Sequence, residues 1–174
     1  MLRFLLIFII TLIGLVVLVF FVGSLIPKKH LATRSAVFHQ PRNVIWDIIT
    51  DFEKAPAWRS GVKSVEKAPP QNNHPVWVEI SNFGRLPLEV TEKDSLHKMV
   101  LTIADKGLPF GGKWTYELTS LDSTNTRLTI TENGEIYNPF FRFMARFLFG
   151  YHKTLETYLK DLGKKLGEEV IFTN

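Results

Sequence analysis

The sequence contains no cysteine, so disulfide bonds and thiol chemistry are excluded. No two of its five histidines stand at metal-ligand spacing on one predicted element, and we predict no metal site. Gly-x-Ser-x-Gly, Walker A and dinucleotide-binding motifs are also missing, so no cofactor is expected. The net charge of +4 is not accompanied by a recognition-helix, zinc-finger or RNA-binding signature, and nucleic acid is not an expected partner.

Charged residues are missing from positions 4–26, which are almost wholly apolar. At 1.5 Å per residue, a helix over this run would be roughly 34 Å long, enough to cross a hydrocarbon core of about 30 Å. A cleaved signal peptide is the alternative, because Val22-Gly23-Ser24 is an acceptable cleavage site, although the apolar part of such peptides is normally shorter. We therefore expect residues 1–30 to be a retained, single-pass membrane anchor with a basic flank.

The basic residues around this run bear on its orientation. Arg3 precedes it, whereas Lys28, Lys29, Arg34 and Arg42 follow it. By the positive-inside rule this distribution favours a cytoplasmic location for the rest of the chain, residues 31–174. Anionic lipid headgroups account for the Lys28–Lys29 flank, so the lipid bilayer is an expected partner.

Residues 61–135 have mostly the period of two that is typical of strands with one apolar face. A first strand is predicted at Leu31–Gln40, followed after Pro41 by a short helix at Arg42–Asp51 and a second helical turn at Phe52–Trp58. Turn residues then separate six further strands, near 61–67, 75–82, 86–93, 97–105, 112–121 and 126–135. Short connections between consecutive strands favour an antiparallel meander with one face on the core.

A long helix is predicted at Asn138–Glu168, with Asn138 as N-cap and Pro139 in the first helical position. Its apolar stripe needs a large apolar surface, which the strands can supply. Its first half is apolar on more than one side, so it contacts the short helices, a cavity or the membrane as well. The predicted fold class is α+β: a curved seven-stranded antiparallel sheet wrapped round a long C-terminal helix, preceded by one N-terminal transmembrane helix.

This element order resembles the helix-grip superfamily called SRPBCC, which includes START lipid-transfer domains. The resemblance rests on Pro41-x-x-Val44-x-Trp46-x-x-x-x-Asp51-Phe52 and on Trp58-x-x-Gly61-Val62-x-x-Val65-Glu66. The closing Gly134-Glu135-Ile136-x-Asn138-Pro139 is similar to the polyketide cyclase/dehydrase-like branch. The resemblance covers residues 31–168 and implies an apolar cavity between the sheet and the helix that it grips.

An apolar cavity suits a hydrophobic ligand, with a few polar groups to orient it. Strand alternation predicts that its walls include Val78, Ile80, Leu88, Val90, Met99, Leu101, Trp114, Tyr116, Leu118, Leu128 and Ile130. The helix is expected to add Phe143, Met144 and Phe147. The alternative is that these side chains fill the space completely. The loop Lys106–Gly112 is expected to be either a gate at the cavity mouth or a wide turn.

Glu132 is the polar residue of most interest, because counting by twos from Leu128 and Ile130 places it on the inward face. A buried carboxylate must be paired or have a raised pKa. Glu132 would serve equally as a ligand contact, as a structural partner, or as a general acid or base together with Tyr116 or Trp114.

The function expected is a membrane-anchored, non-catalytic binding domain for a hydrophobic small molecule or lipid. One alternative is a cyclase or dehydratase acting on an apolar substrate through Glu132 and Tyr116. The other is a structural or interaction domain with a filled core. No catalytic residue is assigned under the first hypothesis.

Overall fold

The computed structural model describes residues 1–173 and has the predicted order of elements. The helices are α1 (Leu2–Leu25), α2 (Arg42–Thr50), α3 (Pro139–Met144) and α4 (Lys153–Leu166), with a 3-10 turn at Phe52–Ala57 and a π-helical turn at Ala145–Phe149. The strands are β1 (Lys29–Phe38), β2 (Ser64–Gln71), β3 (His74–Ser81), β4 (Gly84–Asp94), β5 (Lys98–Ile103), β6 (Phe110–Ser120), β7 (Thr126–Ile136) and β8 (Phe172–Thr173).

Within residues 1–173, the strands form one 8-stranded antiparallel sheet in the order β2-β3-β4-β5-β6-β7-β1-β8. This sheet has one strand more than predicted, because the two-residue β8 pairs with β1 and is too short to show any period of its own. β2 continues through Pro69 and Pro70, beyond the end of the strand predicted near 61–67. Proline is tolerated there because β2 is an edge strand and needs only one row of hydrogen bonds.

The core lies between the concave face of the sheet and α4. Leu155, Leu159 and Leu162 of α4 are completely buried against strand residues such as Leu128 and Ile130. Burying each of these leucines contributes roughly 2 kcal/mol before entropy is counted. Ile45, Trp46 and Ile49 of α2 belong to the same core and cap the sheet at the end where β1 finishes.

The single helix predicted at Asn138–Glu168 is wrong, because the chain breaks at Gly150. This residue has φ 73° and ψ 161°, a backbone conformation that is essentially restricted to glycine. Its N–H donates to the Ala145 carbonyl, which ends the preceding segment in a π-helical turn. The apolar stripe continues across the break, so periodicity alone does not reveal it. As a result, α4 packs in the grip of the sheet, and α3 packs elsewhere.

The partner of α3 is the C-terminal end of α1. Gly23 is buried in this contact, and a Cβ atom there would overlap the Pro139 carbonyl. The rings of Phe20 and Phe140 lie 6.1 Å apart, and Arg142 Nη1 donates to the Ile26 carbonyl at 2.6 Å. The rest of α1 is exposed, and by length and composition it could either cross a membrane or be a signal sequence.

Candidate functional site

The concave face brings together most of the predicted strand residues. Cross-strand partners lie on the same face of a sheet, and the strand register places most of the predicted residues next to one another on that face. Buried in the core are Leu88, Val90, Met99, Leu101, Tyr116, Leu118, Leu128 and Ile130. Leu155, Tyr158, Leu159 and Leu162 cover them from α4. The central part of the concave face is thus closely packed.

The predicted alternation of β3 is wrong. Trp77 pairs with the core residue Leu88, so Trp77 and Glu79 face inward, and Val78 and Ile80 lie on the convex face. Val76, Val78 and Ile80 are all apolar and alternate along β3, so the sequence pattern alone favours the wrong face. The inward carboxylate of Glu79 is balanced by Arg59, a partner that strand alternation does not reveal.

The helical residues that were predicted to line the cavity also lie outside the concave face. Phe143 and Met144 belong to α3 and are half-buried outside the main core, and Phe147 in the π-helical turn is 59% exposed. The break at Gly150 is the reason, since it separates this segment from the helix that the sheet grips. The wall that the sheet faces comes instead from α4.

One buried polar cluster lies beneath α4. The Arg59 guanidinium pairs with Glu79 and stands 5.0 Å from the centroid of the Tyr158 ring. The Tyr158 ring contacts Trp58 edge-on, and its centroid lies 5.3 Å from the centroid of the Tyr116 ring. Burial raises the pKa of both tyrosines well above the ordinary value, so they stay protonated. Burial acts to lower the pKa of Arg59, but the charge and hydrogen bond of Glu79 together with the two tyrosines outweigh it, and the pKa is raised. Arg59 and Glu79 thus balance each other's charge in a packed region.

A second polar pair, Glu132 with His30, lies at the end of the concave face nearest α1. Glu132 faces inward as predicted, with Trp114 beside it on β6 and Ala32 on β1. Its Oε1 atom is 3.3 Å from His30 Nε2, and the two side chains are 19% and 10% exposed. The His30 ring stacks on Tyr151 at 4.3 Å.

The tautomer of His30 follows from this contact. A carboxylate accepts only, so Nε2 carries the proton and Nδ1 of a neutral ring is an acceptor. Nδ1 is buried and has no hydrogen-bond partner among residues 1–173. Gly134 makes room for the ring, because a Cβ atom there would overlap it. The exposed part of the Glu132 carboxylate is therefore the acceptor that a hydroxyl group can reach, and the two side chains are close enough to pass a proton.

His30 lies outside the strand predicted at Leu31–Gln40, because β1 begins two residues earlier, at Lys29. Counting back by twos from Phe38 through Ala36 and Ala32 reaches His30, so the alternation does contain this signal. Tyr151, Arg59 and Glu79 were not predicted as site residues. These contacts join residues that are distant in the sequence, and no local pattern encodes them.

The concave face is less closely packed at the end nearest α1, where Trp114 and Ile103 pack on the core but are only partly buried, unlike the residues beneath α4. A cleft of about 400 Å³ lies on the opposite, convex face, where Thr102, Lys113, Asn133 and Glu135 line it together with Gly111 and Tyr137. The loop predicted as a gate or turn borders this cleft, although Gly111 and Gly112 belong to β6. Another open cleft, of about 470 Å³, lies between β2, β3 and the 3-10 turn.

The fold is shared with several solved structures. A START superfamily protein from Mycobacterium smegmatis is 17% identical, with a TM-score of 0.64 over 79% of this chain and 97% of that one. The Zhui aromatase/cyclase from a Streptomyces species is 11% identical, with a TM-score of 0.65 over 80% and 92% of the two chains. Norcoclaurine synthase from Thalictrum flavum, solved in complex with dopamine and hydroxybenzaldehyde, is 9% identical, with a TM-score of 0.62 over 79% and 86%. At these identities the likeness establishes the helix-grip fold alone.

A search of curated protein sequences finds no match. A family model described as "Polyketide cyclase / dehydrase and lipid transport" matches residues 29–164, which span β1 to α4. The resemblance drawn from the sequence motifs is therefore confirmed. The chain belongs to the polyketide cyclase/dehydrase and lipid transport family, within the START-like helix-grip superfamily SRPBCC.

Proposed function

We propose that this protein is a membrane-anchored, non-catalytic domain that binds a hydrophobic small molecule or lipid carrying a hydroxyl group. The observation that carries the proposal is the Glu132–His30 pair at the less closely packed end of a largely apolar concave face. Apolar walls supply affinity in such a site and a few polar groups set the orientation. The family description, which includes lipid transport, supports the same class of ligand.

The ligand lies, in this proposal, beside Trp114, Ile103 and Tyr151. These side chains surround the polar pair and are less buried than the core beneath α4. A ligand hydroxyl donates to the Glu132 carboxylate, and the hydrocarbon part of the ligand displaces water from Trp114. The predicted residues beneath α4, such as Met99 and Leu128, support this site from below.

The anchor is retained in this proposal, and the domain lies on the cytoplasmic side as the basic flank favours. Support comes from the contact between α1 and α3, because Gly23 and Ile26 are part of it. Cleavage after Ser24 would remove Phe20 and Gly23 and expose the face of α3 that they cover. A signal peptide is not expected to pack in this way against the folded domain.

The test is native mass spectrometry of the full chain, purified from membranes in a mild detergent. Glu132→Gln is compared with Glu135→Gln, a control on the same strand whose side chain points outward to exposed Lys29. We expect a hydrophobic molecule to copurify with the wild type and the control, and its occupancy to fall about tenfold in Glu132→Gln, as for a loss of about 1.4 kcal/mol. No bound molecule in the wild type, or equal occupancy in all three, would contradict the proposal. The first of these results is expected for the filled-core alternative.

An enzymatic alternative rests on the same pair. The 3.3 Å contact allows Glu132 and His30 to move a proton, as a cyclase or dehydratase requires, with neutral Tyr116 as a hydrogen-bond donor. Incubating the copurified molecule with the protein separates the two hypotheses. A change in its mass that is abolished in Glu132→Gln supports the enzyme, and an unchanged molecule supports binding.

A further inference from the structure

The segment between β7 and α4 exposes an unusual concentration of large apolar side chains. Phe141, Phe147, Leu148 and Phe149 are 46%, 59%, 63% and 56% exposed, and we refer to these four residues as the apolar shoulder. They belong to α3 and the π-helical turn. Single exposed apolar residues are ordinary, but a group of four on nine consecutive positions, about two and a half helical turns, needs a covering surface.

The position of the shoulder is fixed by α1. The contacts of Gly23 with Pro139, Phe20 with Phe140, and Ile26 with Arg142 hold α3 against the last two turns of α1. Because α1 is exposed over nearly its whole length, its apolar side chains and those of the shoulder form one continuous surface. If α1 crosses a bilayer, its C-terminal turns lie at one interface, and the shoulder lies at a similar depth.

Charged residues border the shoulder where lipid headgroups would be. Lys28 and Lys29 follow α1 directly and are exposed. Arg146 lies within the same segment and is also exposed, and Lys153 Nζ stands 5.9 Å from the ring of Phe149. Long basic side chains on an apolar surface can extend their charges to the headgroups while their stems remain in contact with hydrocarbon. This charge is complementary to an anionic membrane surface.

We propose that the apolar shoulder inserts into the interfacial layer of the bilayer that holds α1, as a second, non-spanning membrane contact. The inference rests on the anchoring stated under the proposed function and adds to it a defined orientation of the domain. The end of the concave face that holds the Glu132–His30 pair then lies against the membrane. A hydrophobic ligand therefore passes between lipid and the Glu132–His30 pair without crossing water.

The absence of native cysteine allows a clean test with single-cysteine variants. Leu148→Cys carries an environment-sensitive fluorophore on the shoulder. Leu121→Cys is the matched control, an exposed leucine in the β6–β7 turn at the opposite end of the sheet. Phe147→Cys is a second shoulder position, and near-ultraviolet circular dichroism checks that each variant is folded. The full chain is reconstituted into vesicles of phosphatidylcholine and phosphatidylglycerol.

Flotation of the vesicles reports on the anchor, and the fluorophore reports on the shoulder. We expect the protein to float, and the labels at 147 and 148 to emit at shorter wavelength than the label at 121 and to be quenched by spin-labelled lipid. A protein that floats while all three labels behave alike overturns the shoulder inference and leaves the anchor in place. A protein that does not float overturns the anchor, and the shoulder inference fails with it.

Discussion

The two ends of the sheet have opposite distributions of polar and apolar groups. At the α2 end, Ile45 and Ile49 are buried in the core, a cleft opens beside the 3-10 turn, and the outer turns are polar, as in Asp122–Asn125. At the α1 end, the interior holds the Glu132–His30 pair, and the outside carries exposed aromatic residues. The α2 end is therefore typical of a domain surface in water, whereas the α1 end resembles a surface that meets lipid.

The two interior polar pairs give the largest expected difference. The Arg59 guanidinium lies against Tyr158 and the Glu79 carboxylate is only 7% exposed, whereas the Glu132 carboxylate beside His30 is 19% exposed. Arg59→Met should lower the free energy of unfolding by about 3 kcal/mol, because it leaves the Glu79 carboxylate buried without a partner. His30→Gln should cost about 1 kcal/mol or less. Urea titrations of the full chain in detergent measure both, and recovery in Arg59→Met with Glu79→Leu is the control. Equal losses in the two single variants would contradict the distinction.

The contact between α1 and α3 gives the next largest effect. Gly23→Val should destabilise the α1 end by about 2 kcal/mol, because the new side chain overlaps the Pro139 carbonyl. Gly14→Val is the matched control in the same helix, since a Cβ atom at Gly14 meets no other atom within 4 Å. Thermal unfolding of the two variants in detergent measures the difference. If both variants unfold like the wild type, α3 does not rest on α1.

The break between α3 and α4 should give a smaller effect. Gly150→Ala should cost about 1–2 kcal/mol, because alanine is strained at φ 73° and ψ 161°. Gly61→Ala, at a position without positive φ or close neighbours, controls for the added methyl group. The same unfolding assay applies. A Gly150→Ala protein as stable as this control would indicate that the helix can continue through position 150.

The smallest effect concerns the polar turns at the α2 end. Hydrogen bonds from the backbone N–H of Thr124 and from the side chain and backbone N–H of Asn125 lower the pKa of Asp122 to about 2, from 3.8. A carboxyl group with a lowered pKa stabilises the fold above its unfolded pKa, and this stability is lost as the pH falls through about 2. In Asp122→Asn the melting temperature should vary less with pH between 4 and 2. An unchanged acid dependence would show that the turn contributes nothing.

The fold was largely predictable from the sequence because its signals are local. Proline and turn residues delimit the strands, and alternation placed Leu128, Ile130 and Glu132 on the correct face. The errors occurred where a distant contact overrides the local pattern. Glu79 points inward because Arg59 balances it, and α3 leaves the grip of the sheet because Gly150 breaks the helix and α1 offers another surface. His30 joins Glu132 only through the pairing of the first and last long strands.

Photo-crosslinking can show whether lipid meets the α1 end of the domain and reaches the concave face there. The full chain is reconstituted with a phospholipid that carries a photoactivatable group in its acyl chain, and the crosslinked peptides are mapped by mass spectrometry. We expect crosslinks to the apolar shoulder and to Trp114 or Tyr151, in addition to α1. Crosslinks confined to α1, or equally frequent in the Asp122–Asn125 turn, would contradict this expectation.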